Sequence, residues 1–341
     1  MIQLDTGLGT QFGALSEVPQ VAREAEAMGF GALWTPETKH DPFLPLVLAV
    51  EHTQRLRVGT AVAIAFPRSP MAFANIGWDL AKFSGGRFIL GLGTQVKGHN
   101  ERRFSVPWVP PGPRLRDMVL AIRAIWDSWQ NGTRLHFQSE HYTHTLMTPF
   151  FNPGPIEHPD VPIFLGAVNP YMCRLAGEVA DGLLMHSLNS ATYIREVVLP
   201  ALEQGLQKSG RRRSAFTLRG TVFPVLGETD EEFELARAAV RQRIAFYAST
   251  RTYKAVLDAH GWGDLTDRLH GMAAGGEWEA MGREITDEML EAFCVTSTPD
   301  DLGRALRQRF DGLVDRLVLN LTYEPAAKKV DWRRVIRDLS A

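Results

Sequence analysis

Eight short apolar stretches alternate with helix-patterned segments along this chain: MIQLDTG, ALWTPE, RVGTAVAIAF, RFILGLG, VPIFLGA, DGLLMH, FTLRGTVFPVLG and DRLVLNLTY. Stretches such as GTAVAIAF and PIFLGA are apolar on both faces, which suits strands covered by helices outside and filled by side chains inside. Eight such strands in this order predict an α/β fold, a parallel (β/α)8 TIM barrel rather than an open sheet. The intervening segments agree. EVPQVAREAEAMGF sets Val18, Val21, Ala22 and Ala25 on one helical face and stops at Gly29. LPLVLAVEHTQ, SPMAFANIGWDLAKFSGG, PRLRDMVLAIRAIWDSWQNG, PYMCRLAGEVA and TYIREVVLPALEQGLQKSG read as further helices.

Two intervals break the rhythm. Residues 130–160 are long and Pro-rich, and residues 227–297 hold more helix than one crossover needs, so both read as insertions on a single domain spanning 1–341. Catalytic groups of a barrel come from the carboxyl ends of its strands and the loops after them, which makes these insertions candidate walls of a site. A formal net charge of -2 argues against a nucleic-acid binder. The run Arg211, Arg212, Arg213 reads as a solvated helix end. The start, MIQLDTGLG, does not pattern as a signal peptide, and no apolar run is long enough to span a bilayer. Cys173 and Cys294 stand far apart without a C-x-x-C, giving neither a disulfide framework nor a zinc ribbon. These features predict a cytoplasmic protein, with no nucleic-acid or membrane partner, that acts on a small molecule. A homodimer or higher homo-oligomer is the expected assembly.

The segment SGGRFILGLGTQVKG offers a glycine-rich loop after the fourth strand. Gly91 and Gly93 fit the first two positions of G-x-G-x-x-G, but Val96 occupies the third and KGHNERRFSVPWVPPGP does not pattern as a helix at once. A simple dinucleotide fingerprint is therefore a poor reading.

Taken together, AEAMGFGALWTPETKHDPF, RVGTAVAIAFPRSPMAFANIGWDLAKFSGGRFILGLG, LRDMVLAIRAIW and PIFLGAVNPYMCRLAGEVADGLL resemble the luciferase-like monooxygenase family, and LVDRLVLNL closes the pattern. The likeness is greatest to its coenzyme F420-dependent members. It implies a barrel with insertions and an oxidoreductase that uses either the deazaflavin F420 or flavin mononucleotide (FMN). It also implies a non-prolyl cis peptide behind the ring at Ala61 and Val62. TPETKHDPF resembles the deazaflavin members' motif after strand two, and it places His40 beside the ring as the catalytic and cofactor-contacting residue. The HDP order, and Phe43 near where sugar-phosphate dehydrogenases carry a tryptophan, count against a sugar-phosphate substrate. GTQVKGHNE replaces the commoner GTGEALNE, so Gln95 or Val96 stands where those enzymes have an acidic glutamate, and that acid is not carried over.

The residues themselves support the same placement. His40 lies in a polar loop after a strand end, where an imidazole could move a proton beside a hydride acceptor. Asp41 could orient it or cap a turn. Gly93, Thr94, Gln95 and His99 form a loop through which backbone amides could approach an anion or ring edge. Gly166, Ala167, Val168 and Asn169 form the better phosphate site: the glycine permits close approach, Asn169 suits a helix cap and Pro170 a helix start. Asp41, Phe43 and His186 are candidate substrate-pocket residues. His136, His141 and His144 lie close together but alternate like a hairpin, so no metal site is assigned. His260 and Tyr247 belong to the second insertion and are read as packing, as are Trp126, Trp129 and Cys173. The expected function is hydride transfer between F420 and a small organic substrate. The alternatives are an FMNH2 and dioxygen-dependent monooxygenase of the same fold and a flavin-binding protein without turnover.

Overall fold

The computed structural model describes residues 1–8 and 13–340. Eight parallel strands close into a barrel: β1 Gln3–Gly7, β2 Ala32–Thr35, β3 Arg57–Thr60, β4 Phe88–Gly93, β5 Ile163–Ala167, β6 Gly182–Met185, β7 Thr217–Leu226 and β8 Arg316–Leu319. Each pairs with its sequence neighbour, and Gln3↔Arg316 joins the last strand to the first. The (β/α)8 barrel expected from the sequence is the observed fold. β3 stops at Thr60 and resumes at Ala63–Ile64, against β4, with a cis Ala61–Val62 peptide between the two pieces.

Helices wrap the outside for local reasons. α1, Val18–Met28, buries Val18, Ala22 and Ala25 and ends on Gly29 at φ 95°, a left-handed conformation that costs a Cβ-free residue little. α2 is Leu44–Glu51 and α3 is Pro70–Ser84. The Ser69 hydroxyl accepts from the Ala72 amide at the start of α3. α4, Pro111–Asn131, carries Trp126 and Trp129 inward onto Trp78, so both tryptophans are core residues. α5 is Pro170–Val179. The helix expected over TYIREVVLPALEQGLQKSG contains a π turn at Ile194–Val198 just before Pro200, whose ring nitrogen cannot donate to the preceding turn.

Three local readings are corrected. KGHNER does form a helix at once, Lys97–Arg102, one short enough for its two polar turns to show no amphipathic period. Arg211 is not simply solvated: its guanidinium donates to the carbonyls of Ala180 and Gly177, while Arg213 reaches Phe216 O and Asp315. The end of the second insertion is a strand, Cys294–Ser297, added in parallel to the last four residues of β7. Within the first insertion, Phe137–Gln138 and Thr143–His144 form the expected hairpin, and His141 Nδ1 lies 2.8 Å from Asp117 Oδ2. Both cysteines are free and buried. Among the described residues no helix is long and apolar enough to cross a membrane.

The barrel interior holds an apolar cluster and a charged one. Ala32, Trp34, Ile89, Phe164, Leu184 and Val318 form one buried cluster, with Ala61 and Val62 packed on its edge. Below them Asp5 takes a two-pronged ion pair from Arg316, at 2.7 Å from Nε and 2.6 Å from Nη2, and accepts 2.8 Å from the Trp34 indole. Arg219 lies buried with its guanidinium 4.9 Å from the Trp34 ring centre. Burial pulls its pKa down to about 10, so it stays charged at neutral pH.

Candidate functional site at the carboxyl ends of the strands

Side chains two apart on a strand face the same way, so the register shows what lies above the charged layer. Two residues beyond Asp5, Gly59, Phe164 and Arg219 stand Gly7, Ala61, Gly166 and Thr221. The lower four are buried, whereas each of the upper four keeps accessible surface. The barrel is therefore plugged through its middle and opens above a floor of small residues. This is the end at which barrels place their chemistry.

Val62 dominates that floor. A Cβ on Gly93 would come within 2.5 Å of Val62 Cγ2, and one on Gly166 within 3.2 Å of Val62 Cγ1. The valine thus rests in the notch that the two glycines leave and forms a partly exposed apolar step. The expected cis peptide at Ala61–Val62 is present. Glu37 secures the step from the side: Ala61 N donates to Thr35 O at 2.8 Å, Glu37 N to Val62 O at 3.3 Å, and Glu37 Oε2 accepts from Ile64 N at 2.7 Å.

The loop after β2 is held by its neighbours. Arg68 bridges Glu37 at 2.7 Å and Asp41 at 3.0 Å, and its guanidinium lies over the Phe43 and Phe73 rings. Asp41 Oδ1 accepts from Phe43 N at 2.8 Å and Leu44 N at 3.3 Å, so it caps the start of α2. Arg103 donates to Thr38 O from the loop after β4. His40 projects from this braced loop, exposed and without a hydrogen-bond partner among the described residues. Phe43 is buried against Phe73 in the core. Asp41 thus takes up the capping role, and its second oxygen is paired with Arg68. The Glu37–Arg68 pair was not anticipated; a carboxylate two residues past a strand end, and an arginine set in PRSP, are the signals that could have raised it.

After β4, Gln95 adopts φ 55° and its side chain accepts from Val96 N at 2.8 Å. Asn100 is fully buried and holds Thr94 O and Val96 O at 2.9 and 3.2 Å, while its own Oδ1 has no partner among the described residues. That oxygen is sealed from solvent, so it is an unpaired buried acceptor. His99 points outward and is exposed.

After β5, Asn169 caps α5 as expected, accepting from Met172 N at 2.9 Å. Pro170 has no N–H and Met172's is taken, so of the amides at this helix start those of Tyr171 and the cap Asn169 have no partner among the described residues. Val168 O receives the Tyr193 hydroxyl at 2.9 Å, which fixes the loop.

After β6, His186 turns toward the mouth. Its Nδ1 accepts from Leu188 N at 3.1 Å, which places the proton of the neutral ring on Nε2. Burial pulls its pKa from 6.5 to about 4, yet the side chain keeps accessible surface. The ring is thus deeply set, with some of the residue still reached by solvent. The unfolded chain takes up a proton near 6.5 and the folded one only near 4, so stability gained from His186 is complete above 6.5 and falls as pH drops between these values. Urea midpoints measured across that range should fall for the natural chain and fall less for His186→Phe; parallel curves would exclude the effect.

The residues matched by the luciferase-like monooxygenase family model are 1–316, nearly the whole chain. The chain belongs to the luciferase-like monooxygenase family. An uncharacterised Mycobacterium tuberculosis protein is 50% identical to this luciferase-like chain over 317 residues, 93% of this chain and 92% of that one. A 5,10-methylenetetrahydromethanopterin reductase of Archaeoglobus fulgidus is 27% identical over 320 residues, covering 92% of each. Among solved structures, the coenzyme F420-dependent tetrahydromethanopterin reductase of Methanopyrus kandleri superposes with a TM-score of 0.80 at 19% identity, over 99% of this chain and 98% of that one. That likeness shows the luciferase-like barrel.

Proposed function

We propose that this protein transfers a hydride between the deazaflavin coenzyme F420 and a small organic substrate at the mouth of the barrel. The observation that carries the reading is the Val62 step, seated on Gly93 and Gly166 above a solvent-reached floor of small residues. It offers an apolar rest for a tricyclic ring. The bound deazaflavin supplies the hydride chemistry.

The chain's own residues do the rest. Ala61 and Val62 support one face of the ring. Gly93, Thr94 and Gln95 flank it from the loop after β4, and Gly166, Ala167, Val168 and Asn169, with the Tyr171 amide, receive the phosphate. His40 holds or supplies the proton that the substrate's oxygen gains or loses when hydride moves. A second reading, reduced FMN with dioxygen, is favoured by the family's description as monooxygenases; it uses the same step and loops.

Titration with oxidised F420 and with FMN separates the two. Tighter binding of the deazaflavin is expected, and equal or reversed affinity would overturn the cofactor assignment.

A further inference from the structure

The second insertion brings two tyrosines onto His186. Tyr253 stacks on the imidazole at 4.5 Å and 26° between planes, and Tyr247 meets it edge-on at 4.3 Å and 90°. Tyr247 in turn lies 6.3 Å from Phe223 of β7, at 26°. Like His186, Tyr253 is deeply set yet touched by solvent, and burial raises its phenol pKa to about 12. The wall is therefore aromatic, and its polar atoms are neutral donors. His186 presents Nε2–H, and neither tyrosine hydroxyl has a partner among the described residues.

Charge is absent from this wall. Lys254 is paired with Asp258 and Arg251 with Asp267 at 3.6 Å, Arg243 one turn before Tyr247 is exposed, and burial with no cation beside it accounts for the low pKa of His186. A carboxylate or phosphate placed here would lose water and find no counter-ion, at a cost of several kcal/mol. A planar neutral molecule would gain ring contact, and an oxygen acceptor on it would meet the imidazole N–H.

We propose that His186, Tyr247 and Tyr253 form a recognition wall for a flat, uncharged substrate that carries a carbonyl or hydroxyl oxygen, such as an aryl ketone or aryl carbinol. This rests on reading the barrel mouth as the substrate site. It requires no particular cofactor.

The test is binding, measured by calorimetry on the full chain with and without F420, using acetophenone, benzoate and glucose 6-phosphate as probes. Acetophenone is expected to bind saturably, and about tenfold or more tighter than benzoate, which has the same ring with a charge, or than the sugar phosphate. Tyr253→Leu and His186→Phe should each weaken acetophenone about fivefold or more while F420 affinity stays within about twofold. The proposal fails if benzoate or glucose 6-phosphate matches acetophenone, if acetophenone does not saturate, or if neither variant changes its affinity. If F420 does not bind but the probe pattern holds in the cofactor-free protein, the cofactor reading falls and the recognition wall stands.

Discussion

Replacing Asp5 by alanine is expected to cost the fold about 3–5 kcal/mol, read as a lower urea midpoint with little change in slope. Asp5 is the only carboxylate among the buried polar and charged residues of the described chain, and it faces Arg316 and Arg219. Arg57 also senses this cluster: burial, and then repulsion from Arg316, lower its pKa, while Asp5 opposes them. Removing the carboxylate would leave the Arg316 fork and the Trp34 indole without their acceptor and bring buried guanidiniums together uncompensated. Asp5→Leu combined with Arg316→Met should recover much of the loss, because a buried ion pair replaced whole by apolar volume is often close to neutral. If Asp5→Ala alone lies within about 0.5 kcal/mol of the natural chain, the carboxylate does not hold the barrel together.

This charged layer also shows where sequence reading stops. The strands were legible because short apolar runs, some apolar on both faces, alternate with helix patterns, and the helix ends because Gly29, Gly85 and Gly132 adopt positive φ, as glycines at those positions can. Asp5, Arg219 and Arg316 were not legible as interior residues. A charged residue in an alternating strand reads as solvent-facing, and only closure of the ring places all three inside. The Ala61–Val62 step was reached through family likeness, since RVGTAVAIAF by itself reads as one uninterrupted strand. The aromatic wall was hidden for a different reason: His186 and Tyr253 are 67 positions apart, and nothing local links them before the insertion folds back. Cys294–Ser297 was missed because four residues between helices give too short a window to show a strand period.

His40 should govern turnover while leaving cofactor affinity nearly untouched. Its side chain has no hydrogen-bond partner among the described residues, but its loop is pinned on both sides: Glu37 and Asp41 share Arg68, and Thr38 O is held by Arg103. A loop so braced fixes where the imidazole can reach without tying up either ring nitrogen, which suits a group that must exchange a proton with substrate. We expect His40→Ala to lower turnover by about 10²–10⁴-fold, with F420 affinity changed less than about threefold, and added imidazole to restore part of the rate. Arg68 acts through that loop as a positioning residue. Arg68→Met should lower turnover in the same direction by a smaller factor, imidazole should not restore it, and Arg68→Lys should recover part because one amine can still reach one carboxylate. Unchanged turnover in His40→Ala would make His40 an ordinary solvated loop residue. Rescue of Arg68→Met by imidazole would mean that the arginine serves the proton transfer itself rather than the loop.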